Sequence, residues 1–481
     1  MFEQTFKNID NILKADGGAV GELGYLEQTS WIIFLKYLDD LEKERDEASK
    51  LSGTTYTKIL DEKFTWKEWA APKLNDGSPD HNKGLTGNDL IEFVNQELFP
   101  YLSKFKAEIS NLNSVHYKIG EIFSDLKNKF QSGYNLKEVI NLVDSLSFKS
   151  TEEKHQMTSL YEEKIKVMGN AGRDGGALYT PRPLIKCIVE IINPKLGETI
   201  YDGAVGSAGF LSESYEYLKS SNKLSSKEKV FLENSTFFGK EKEPLAYMIA
   251  NMNLILHGIN SPNIIHTNTL NENIRNISQK DQYDIILANP PFAGNERNEV
   301  QQNFPIKTSE TAYLFLQHFI KSLKVGGRAG IVIKNTFLLN ADAKNLRKEL
   351  FETCDVHTIL DLPKKVFTAG VTTIVLFFTK GKPTKNIWFY QLSLNRNLGK
   401  TNPLNNDDLS DFSECYKTKS NSENSWVVSI NDINKETWDL TPNNPNRKVE
   451  SDERTPKEIL QQIQELDNQA SNALNAIKNL L

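Results

Sequence analysis

Short β-branched runs alternate with amphipathic helices from about Tyr179 onward. This alternation is typical of a parallel sheet with helices on both faces. Pro244 and Gly258 bracket one of the helices, because proline favours the first helical position and glycine the residue after the last. We therefore predict an α/β fold here. The predicted strands are Thr199–Tyr201, Thr236–Phe238, one ending at Ile264-Ile265, Tyr283–Ala288, Ala329–Ile333, Thr358–Leu362, Thr372–Thr379 and Ile387–Tyr390.

The first 170 residues or so carry a different pattern. Strand-like alternation is scarce, and segments 27–45, 90–106 and 136–146 have apolar residues at helical spacing with charges between them. We predict an all-helical N-terminal domain that has no chemical motif of its own. In the first of these segments the apolar positions are Trp31, Phe34, Leu35, Leu38 and Leu41.

A chain of 481 residues exceeds one ordinary core, so two main domains plus appendages are expected. No run approaches the roughly 18–20 apolar residues that cross a bilayer, and the first residues lack the pattern of a secretory signal. Cys187, Cys354 and Cys415 lie far apart and fit neither a disulfide framework nor a zinc site. The expectation is a protein of the reducing cytoplasm, with no membrane partner and no metal.

The formal net charge of −6 is an argument against a protein that binds nucleic acid alone. Non-specific affinity for DNA comes from lysine and arginine side chains that neutralise phosphates. Either the basic surface is local, or a partner supplies much of it.

A glycine-rich loop, residues 201–210, follows a predicted strand and opens a helix. Gly203, Gly206 and Gly209 allow a tight turn in which backbone N–H groups approach a ligand closely. Their spacing differs from G-x-G-x-x-G, which disfavours a nicotinamide dinucleotide. Glu241, at the end of the next strand, is either a ribose ligand or a charge that opens the following helix. Residues 267–270 follow the third strand, and they either contact the cofactor or form an ordinary turn.

The buried strand Asp284–Ala288 runs directly into Asn289-Pro290-Pro291-Phe292. Two prolines stop the strand, stiffen the backbone and leave carbonyls free. An exocyclic amine has two hydrogens, and the Asn289 side-chain oxygen and the Pro290 carbonyl can accept both. Phe292 offers a ring for an unstacked base, a contact worth about 1–3 kcal/mol. This tetrapeptide therefore predicts a pocket that holds a flipped-out base.

The last 26 residues, 456–481, form a predicted amphipathic helix. Thr455, Pro456 and Glu458 combine a capping box with proline at the first helical position. The apolar seam alternates steps of four and three, and a single helix cannot bury it alone. It docks either on the chain's own body or on a partner. The seam residues are Ile459, Ile463, Leu466, Ala470, Ala473, Ile477 and Leu480.

Together these features resemble the amino-methylating DNA methyltransferases that use S-adenosylmethionine, and most closely the modification subunits of type I restriction–modification systems. The resemblance spans nearly the whole chain, with a Tyr-Thr-Pro element before the loop and the Asn-Pro-Pro element after it. The motifs that carry it are Tyr179-Thr180-Pro181-Arg182, the loop 201–210, Gly239-Lys240-Glu241, Met252-Asn253, His257-Gly258, Asn289-Pro290-Pro291-Phe292, Phe315-Leu316-Gln317, Gly326-Gly327-Arg328, Gly370-Val371 and Phe377-Phe378.

The resemblance implies a Rossmann-like S-adenosylmethionine-dependent methyltransferase sheet between an all-helical N-terminal domain and a C-terminal helix. We place the helical domain at 1–170, the catalytic domain at 171–400, a polar connecting region at 401–455 and a partner-docking helix at 456–481. The loop departs from the common Asp-Pro-x-Cys-Gly-x-Gly-Gly form at Gly203, Val205 and Ala208, and Asn268 stands where many relatives carry Asp.

The resemblance also implies a role for each matching position. Tyr179, Thr180 and Pro181 lie over the methionine part of the cofactor, and Glu241 holds the ribose. Asn268 and Thr269 lie by the adenine ring. The loop contributes Asp202, Gly206, Ser207, Gly209 and Phe210. Asn289, Pro290, Pro291 and Phe292 hold the target base for in-line attack of adenine N6 on the activated methyl group, with positioning and electrostatics supplying the rate.

The implied partners are double-stranded DNA, a specificity subunit bound by two modification subunits, and a restriction subunit, since no P-loop signature occurs in this chain. Three alternatives remain: an N4-cytosine DNA methyltransferase, a protein-glutamine methyltransferase and a non-catalytic assembly subunit. The absence of a Pro-Cys element argues against carbon-5 cytosine methylation.

Overall fold

The computed structural model describes residues 2–80, 82–109, 111, 114–146, 153, 161, 179–220, 223–259, 262–367, 370–399, 401–446 and 456–478. The predicted boundary at residue 170, Thr455 of the predicted cap and Leu480 of the seam lie outside these ranges.

The N-terminal part is helical, as predicted. Serine side chains cap two of its helices, because the Ser114 hydroxyl accepts from the Tyr117 amide and that of Ser132 from the Asn135 amide. Its longest helix, α2, ends where Gly53 adopts a left-handed conformation (φ 69°). The helices are α1 (Phe2–Asp16), α2 (Gly21–Ser52), α3 (Trp66–Trp69), α4 (Gly87–Phe93), a π-helical turn (Val94–Leu98), α5 (Phe99–Glu108), α6 (Val115–Asp125) and α7 (Gly133–Asp144).

Among the described residues, the second part is built on one sheet of nine strands in the order β3-β2-β1-β4-β5-β7-β6-β8-β9. The first five strands in the chain run parallel, and β7 lies antiparallel between β5 and β6. All eight predicted strands are present. The strands are β1 (Ile200–Asp202), β2 (Phe237–Glu241), β3 (Asn263–His266), β4 (Tyr283–Ala288), β5 (Leu323–Lys334), β6 (Cys354–Asp361), β7 (Thr373–Lys380), β8 (Asn386–Gln391) and β9 (Ser425–Ser429).

Helices cover both faces of this sheet, so its central strands are buried on both sides. In β4, Ile285 and Leu287 pack into one apolar layer, whereas Ile286 and Ala288 pack into the other. The helices of this part are α8 (Arg182–Ile192), α9 (Gly209–Ser220), α10 (Ser226–Ser235), α11 (Pro244–His257), α12 (Asn298–Gln301), α13 (Thr311–Ser322), α14 (Lys344–Thr353), α15 (Ser410–Thr418) and α16 (Pro456–Lys478).

The described part of the region that we placed at 401–455 as a polar connection contains a strand and a helix. β9 pairs antiparallel with β8 and extends the sheet, and the Trp426 ring stacks on Phe389 with centroids 5.3 Å apart. Phe412 of α15 is fully buried. Aromatic side chains therefore anchor this part of the chain to the sheet.

Candidate active site

The candidate residues follow the carboxyl ends of neighbouring parallel strands. The strand order reverses between β1 and β4, because β1 pairs with β2 on one side and with β4 on the other. In open α/β sheets a ligand crevice forms at such a reversal, outside the carboxyl ends of the strands. Asp202 ends β1, Glu241 ends β2 and Asn289 follows β4, so the fold brings these three positions to one edge.

The loop after β1 is held by backbone hydrogen bonds around a buried carboxyl group. Asp202 is 1% exposed, and its Oδ1 accepts from the Ala204 amide at 2.9 Å. Burial, with the nearby charge of Glu241 added, raises the pKa of Asp202 to about 8. Gly206 and Ala208 both have positive φ, 54° and 63°, which for Ala208 is an uncommon conformation. Ala208 stands where the common form of the loop has glycine, and it adopts the left-handed conformation that the turn requires.

Glu241 is a buried acceptor and not the solvated charge of the alternative interpretation. Its side chain accepts from three backbone amides at 2.9 Å each, those of Gly206, Lys242 and Glu243. Burial raises the pKa of Glu241 in spite of these bonds. A carboxylate offers about four acceptor positions, so one position remains for a ligand hydroxyl.

A cavity of about 490 Å³ lies along this edge of the sheet. This volume is in the range of small-molecule sites. Its wall contains five of the sequence-predicted residues, namely Glu241, Asn268, Thr269, Asn289 and Pro291. A small cavity that shares Asn289 and Ala204 with it is lined by the other candidates Thr180, Asp202, Gly206, Ser207, Gly209 and Phe210. Tyr179, Pro181, Pro290 and Phe292 line neither cavity.

The turn after β3 is both a cavity wall and an ordinary capped turn. The Asn268 Oδ1 accepts from the Leu270 amide at 3.0 Å, and the Thr269 hydroxyl donates to the Gly203 carbonyl at 2.6 Å. Thr269 thereby ties the β3 end to the glycine loop. The interpretation of Asn268 as an adenine contact stays a prediction, since its side-chain oxygen already has a partner.

The Asn289 side chain joins the two elements that flank the loop in sequence. Its Nδ2 donates to the Thr180 Oγ1 at 2.9 Å. Its Oδ1 is buried and has no hydrogen-bond partner within the described ranges. Most buried polar atoms are satisfied, so an orphaned acceptor at a cavity wall marks a place for a donor from a ligand.

Phe292 contacts an aromatic ring that sequence reasoning did not identify. The Phe292 and Phe367 rings meet edge to face, with centroids 4.9 Å apart and planes at 77°. Phe367 belongs to the connection between β6 and β7, 75 residues away in the chain. No local pattern connects two such positions.

Arg182 and Asn253 belong to the family motifs, and the structure shows that both position other parts of the site. Arg182 is held by the Gly209 carbonyl and the Ser212 hydroxyl, both at 3.0 Å, so it fixes α8 against the start of α9. Burial lowers the pKa of Arg182 to about 10. Asn253 of α11 donates to the Ser207 carbonyl at 2.8 Å. A polar residue on the apolar face of a helix was the available signal for Asn253.

Residues 152–454 match the family described as N-6 DNA Methylase, and residues 2–143 match the HsdM N-terminal domain. The methylase subunit of the type I restriction enzyme EcoEI from Escherichia coli is 33% identical over 493 aligned residues, which cover 99% of this chain and 97% of that protein. The chain belongs to the methylase subunits of type I restriction enzymes. This match confirms the predicted family and enzyme class.

Solved structures agree with this methylase over nearly its whole length. A modification subunit of a type I restriction enzyme from Vibrio vulnificus YJ016 superimposes with a TM-score of 0.82 at 32% identity, over 94% of this chain and 98% of that chain. A second chain, from work on complex assembly and conformational transition of the type I R-M system, gives a TM-score of 0.80 at 32% identity, over 100% and 98%. The predicted α/β methyltransferase fold with its helical N-terminal region is confirmed. In the described part of the methylase, no helix is long and apolar enough to cross a membrane.

Proposed function

We propose that this methylase subunit transfers a methyl group from S-adenosylmethionine to the N6 amino group of adenine in double-stranded DNA. The observation that carries this proposal is the orphaned Asn289 Oδ1, which is buried at the wall of a cofactor-sized cavity. An acceptor without a partner at that place suits an exocyclic amine.

The residues of the cavity fit the cofactor by the chemistry of their donors and acceptors. Glu241 would hold the ribose hydroxyls through its remaining acceptor position, and Asn268 and Thr269 would lie by the adenine ring. Thr180 and the loop residues Asp202, Gly206, Ser207, Gly209 and Phe210, which line the adjoining small cavity, would hold the methionine part, with Tyr179 and Pro181 on either side of Thr180 in the chain. When bound, S-adenosylmethionine supplies the activated methyl group.

The tetrapeptide of Asn289, Pro290, Pro291 and Phe292 holds the target base. Thr180 takes the Asn289 amide nitrogen as a donor, so the Asn289 oxygen is the atom that faces an incoming amine. With the Pro290 carbonyl as a second acceptor, both hydrogens of the amine are engaged and the charge that develops on nitrogen is stabilised. Phe292 supplies the stacking ring, and Phe367 packs against that ring in an edge-to-face contact.

Target selection belongs to a partner in this proposal. α16 leaves two seam residues more than half exposed, Ile463 (51%) and Leu466 (58%), and Leu460 beside the seam is 64% exposed. The chain-body alternative therefore loses support at these positions, and we propose that α16 docks on a specificity subunit, with two methylase subunits for each specificity subunit and a restriction subunit in the full complex. The acidic balance fits a DNA enzyme that relies on its partner, acting in the cytoplasm.

Asn289→Ala is the variant that tests the catalytic assignment. We expect S-adenosylhomocysteine to bind the variant with an unchanged Kd in calorimetry, while methyl transfer to DNA in the presence of the specificity subunit is nearly abolished. Asn276→Ala, at an exposed asparagine, is the matched control and should keep both properties. Unchanged methyl transfer by Asn289→Ala would contradict the assignment, and loss of both properties would indicate a folding defect, which thermal unfolding would reveal.

A further inference from the structure

One wall of the cofactor-sized cavity comes from the helical N-terminal domain. Leu23, in the first turn of α2, lines the cavity together with Lys242 and Glu243, which connect β2 to α11, and with Leu245 and Ala246 in the first turn of α11. Leu23 and Leu245 are both partly buried and pack against the same apolar core. The apolar wall thus combines a residue of each domain next to the Glu241 carboxylate.

The N-terminal domain is fixed to the catalytic domain directly behind this wall. The buried Lys118 of α6 donates to the Ile264 carbonyl in β3, and the Tyr247 hydroxyl of α11 donates to the Glu121 carboxylate of α6. The Tyr247 ring also stacks on His266, with centroids 4.8 Å apart. These partners adjoin cavity residues in the chain, because Tyr247 follows Ala246 and His266 precedes Thr267.

α2 itself has separate attachments to α11. The Tyr37 hydroxyl donates to the Ile255 carbonyl at 3.3 Å, and both Tyr37 and Ile255 are buried. The Ser30 hydroxyl lies 2.9 Å from the Tyr161 hydroxyl, which in turn lies 4.0 Å from the Met252 sulfur. The position of Leu23 at the cavity is therefore determined by a buried interface and not by a loose end of the chain.

We infer that Leu23 is a cofactor-binding residue, and that docking of the N-terminal domain completes the cofactor site. The inference rests on the proposed use of S-adenosylmethionine. Leu23, Leu245 and Ala246 form an apolar surface beside the ribose ligand Glu241, which suits the flat adenosine part of the cofactor. Because the domains share one binding wall, cofactor binding stabilises the docked arrangement, and docking strengthens cofactor binding by the same factor.

Binding of S-adenosylhomocysteine to the full chain, measured by calorimetry, tests the inference. Removal of the Leu23 side chain should raise the Kd about 3- to 10-fold in Leu23→Ala, and the charge in Leu23→Asp should raise it at least about 10-fold. Val20→Ala and Leu51→Asp are the matched controls, since these side chains are 82% and 91% exposed near the two ends of α2. Both controls should bind as the wild type does.

Hydrogen exchange of the wild type provides the second measurement, which does not depend on any variant folding. Addition of S-adenosylhomocysteine should slow amide exchange in the first turns of α2 and in α6, relative to α14 on the other face of the sheet. An unchanged Kd in both Leu23 variants, or protection of the β1 loop without protection of α2, would overturn the inference and leave the proposed function standing. Absence of binding to the wild type would overturn both.

Discussion

The side-chain nitrogen of Asn289 donates to the hydroxyl of Thr180 at 2.9 Å, which joins residues 109 positions apart. This contact fixes the orientation of the Asn289 amide. Its nitrogen is engaged, and its oxygen is left as a buried acceptor at the cavity wall. In the proposed mechanism the Thr180 hydroxyl therefore sets which atom of Asn289 meets the substrate amine.

Thr180→Val should reduce kcat, because it removes the acceptor that orients the Asn289 amide while keeping the shape of the side chain. A hydrogen bond of this kind is worth about 1–3 kcal/mol once a buried donor is left unsatisfied, so methyl transfer should slow about 5- to 150-fold. The measurement is single-turnover methyl transfer to DNA. Thr180→Ser keeps the hydroxyl and should retain most of the rate; equal rates for Val and Ser would contradict the orienting role.

Phe292→Leu should raise KM for DNA more than Phe367→Leu does. Phe292 supplies the stacking face in the proposal, so its loss should raise KM for DNA about 5- to 100-fold. Phe367 meets that ring in an edge-to-face contact, and its loss should raise KM about 2- to 10-fold. Steady-state kinetics at saturating cofactor measure both. A larger effect at Phe367 than at Phe292 would contradict the assignment of the stacking face to Phe292.

The free energy of unfolding of the ligand-free protein should fall as the pH rises from about 4 to about 8, because of the titration of Asp202. Its folded-state pKa is raised to about 8, so in this range the folded chain holds a proton that the unfolded chain has lost. One such group lowers the free energy of unfolding by at most about 1.4 kcal/mol per pH unit. Urea unfolding at pH 5.5 and pH 8 measures the trend.

Asp202→Asn removes this titration and keeps the acceptor for the Ala204 amide. The stability of the variant minus that of the wild type should therefore be larger at pH 8 than at pH 5.5. Asp281→Asn is the control, because hydrogen bonds from Ser278 lower the pKa of Asp281 and it does not titrate in this window. An Asp202→Asn difference that is the same at both pH values would contradict a raised pKa.

Deletion of residues 456–481 should abolish co-purification with the specificity subunit while the thermal midpoint and the Kd for S-adenosylhomocysteine stay unchanged. The exposed seam residues Ile463 and Leu466 of α16 give the reason, since removal of exposed apolar side chains costs the chain itself little. Gln461→Ala with Gln464→Ala, at exposed positions outside the seam, is the control and should assemble normally. Undiminished assembly of the deleted chain would place the docking surface elsewhere.

The strands and the position of Asn289 could be predicted from the sequence because their signals are local. A β-branched run followed by two prolines specifies a buried strand and its end, and parallel strands bring such ends to one edge. Leu23 and Phe367 could not be predicted in the same way. Their roles depend on contacts between distant parts of the chain. The sequence around a single apolar residue does not show whether its side chain lines a binding cavity or packs in the core.

The proposed methylation of adenine is tested most directly by measuring which modified nucleosides occur in host DNA. The methylase and its cognate specificity subunit are expressed together in a host without other methylases, and the digested DNA is analysed by mass spectrometry. The expected result is N6-methyladenine with the wild type and its near absence with Asn289→Ala. N4-methylcytosine in its place, or no modified base although the complex assembles, would contradict adenine methylation by this site.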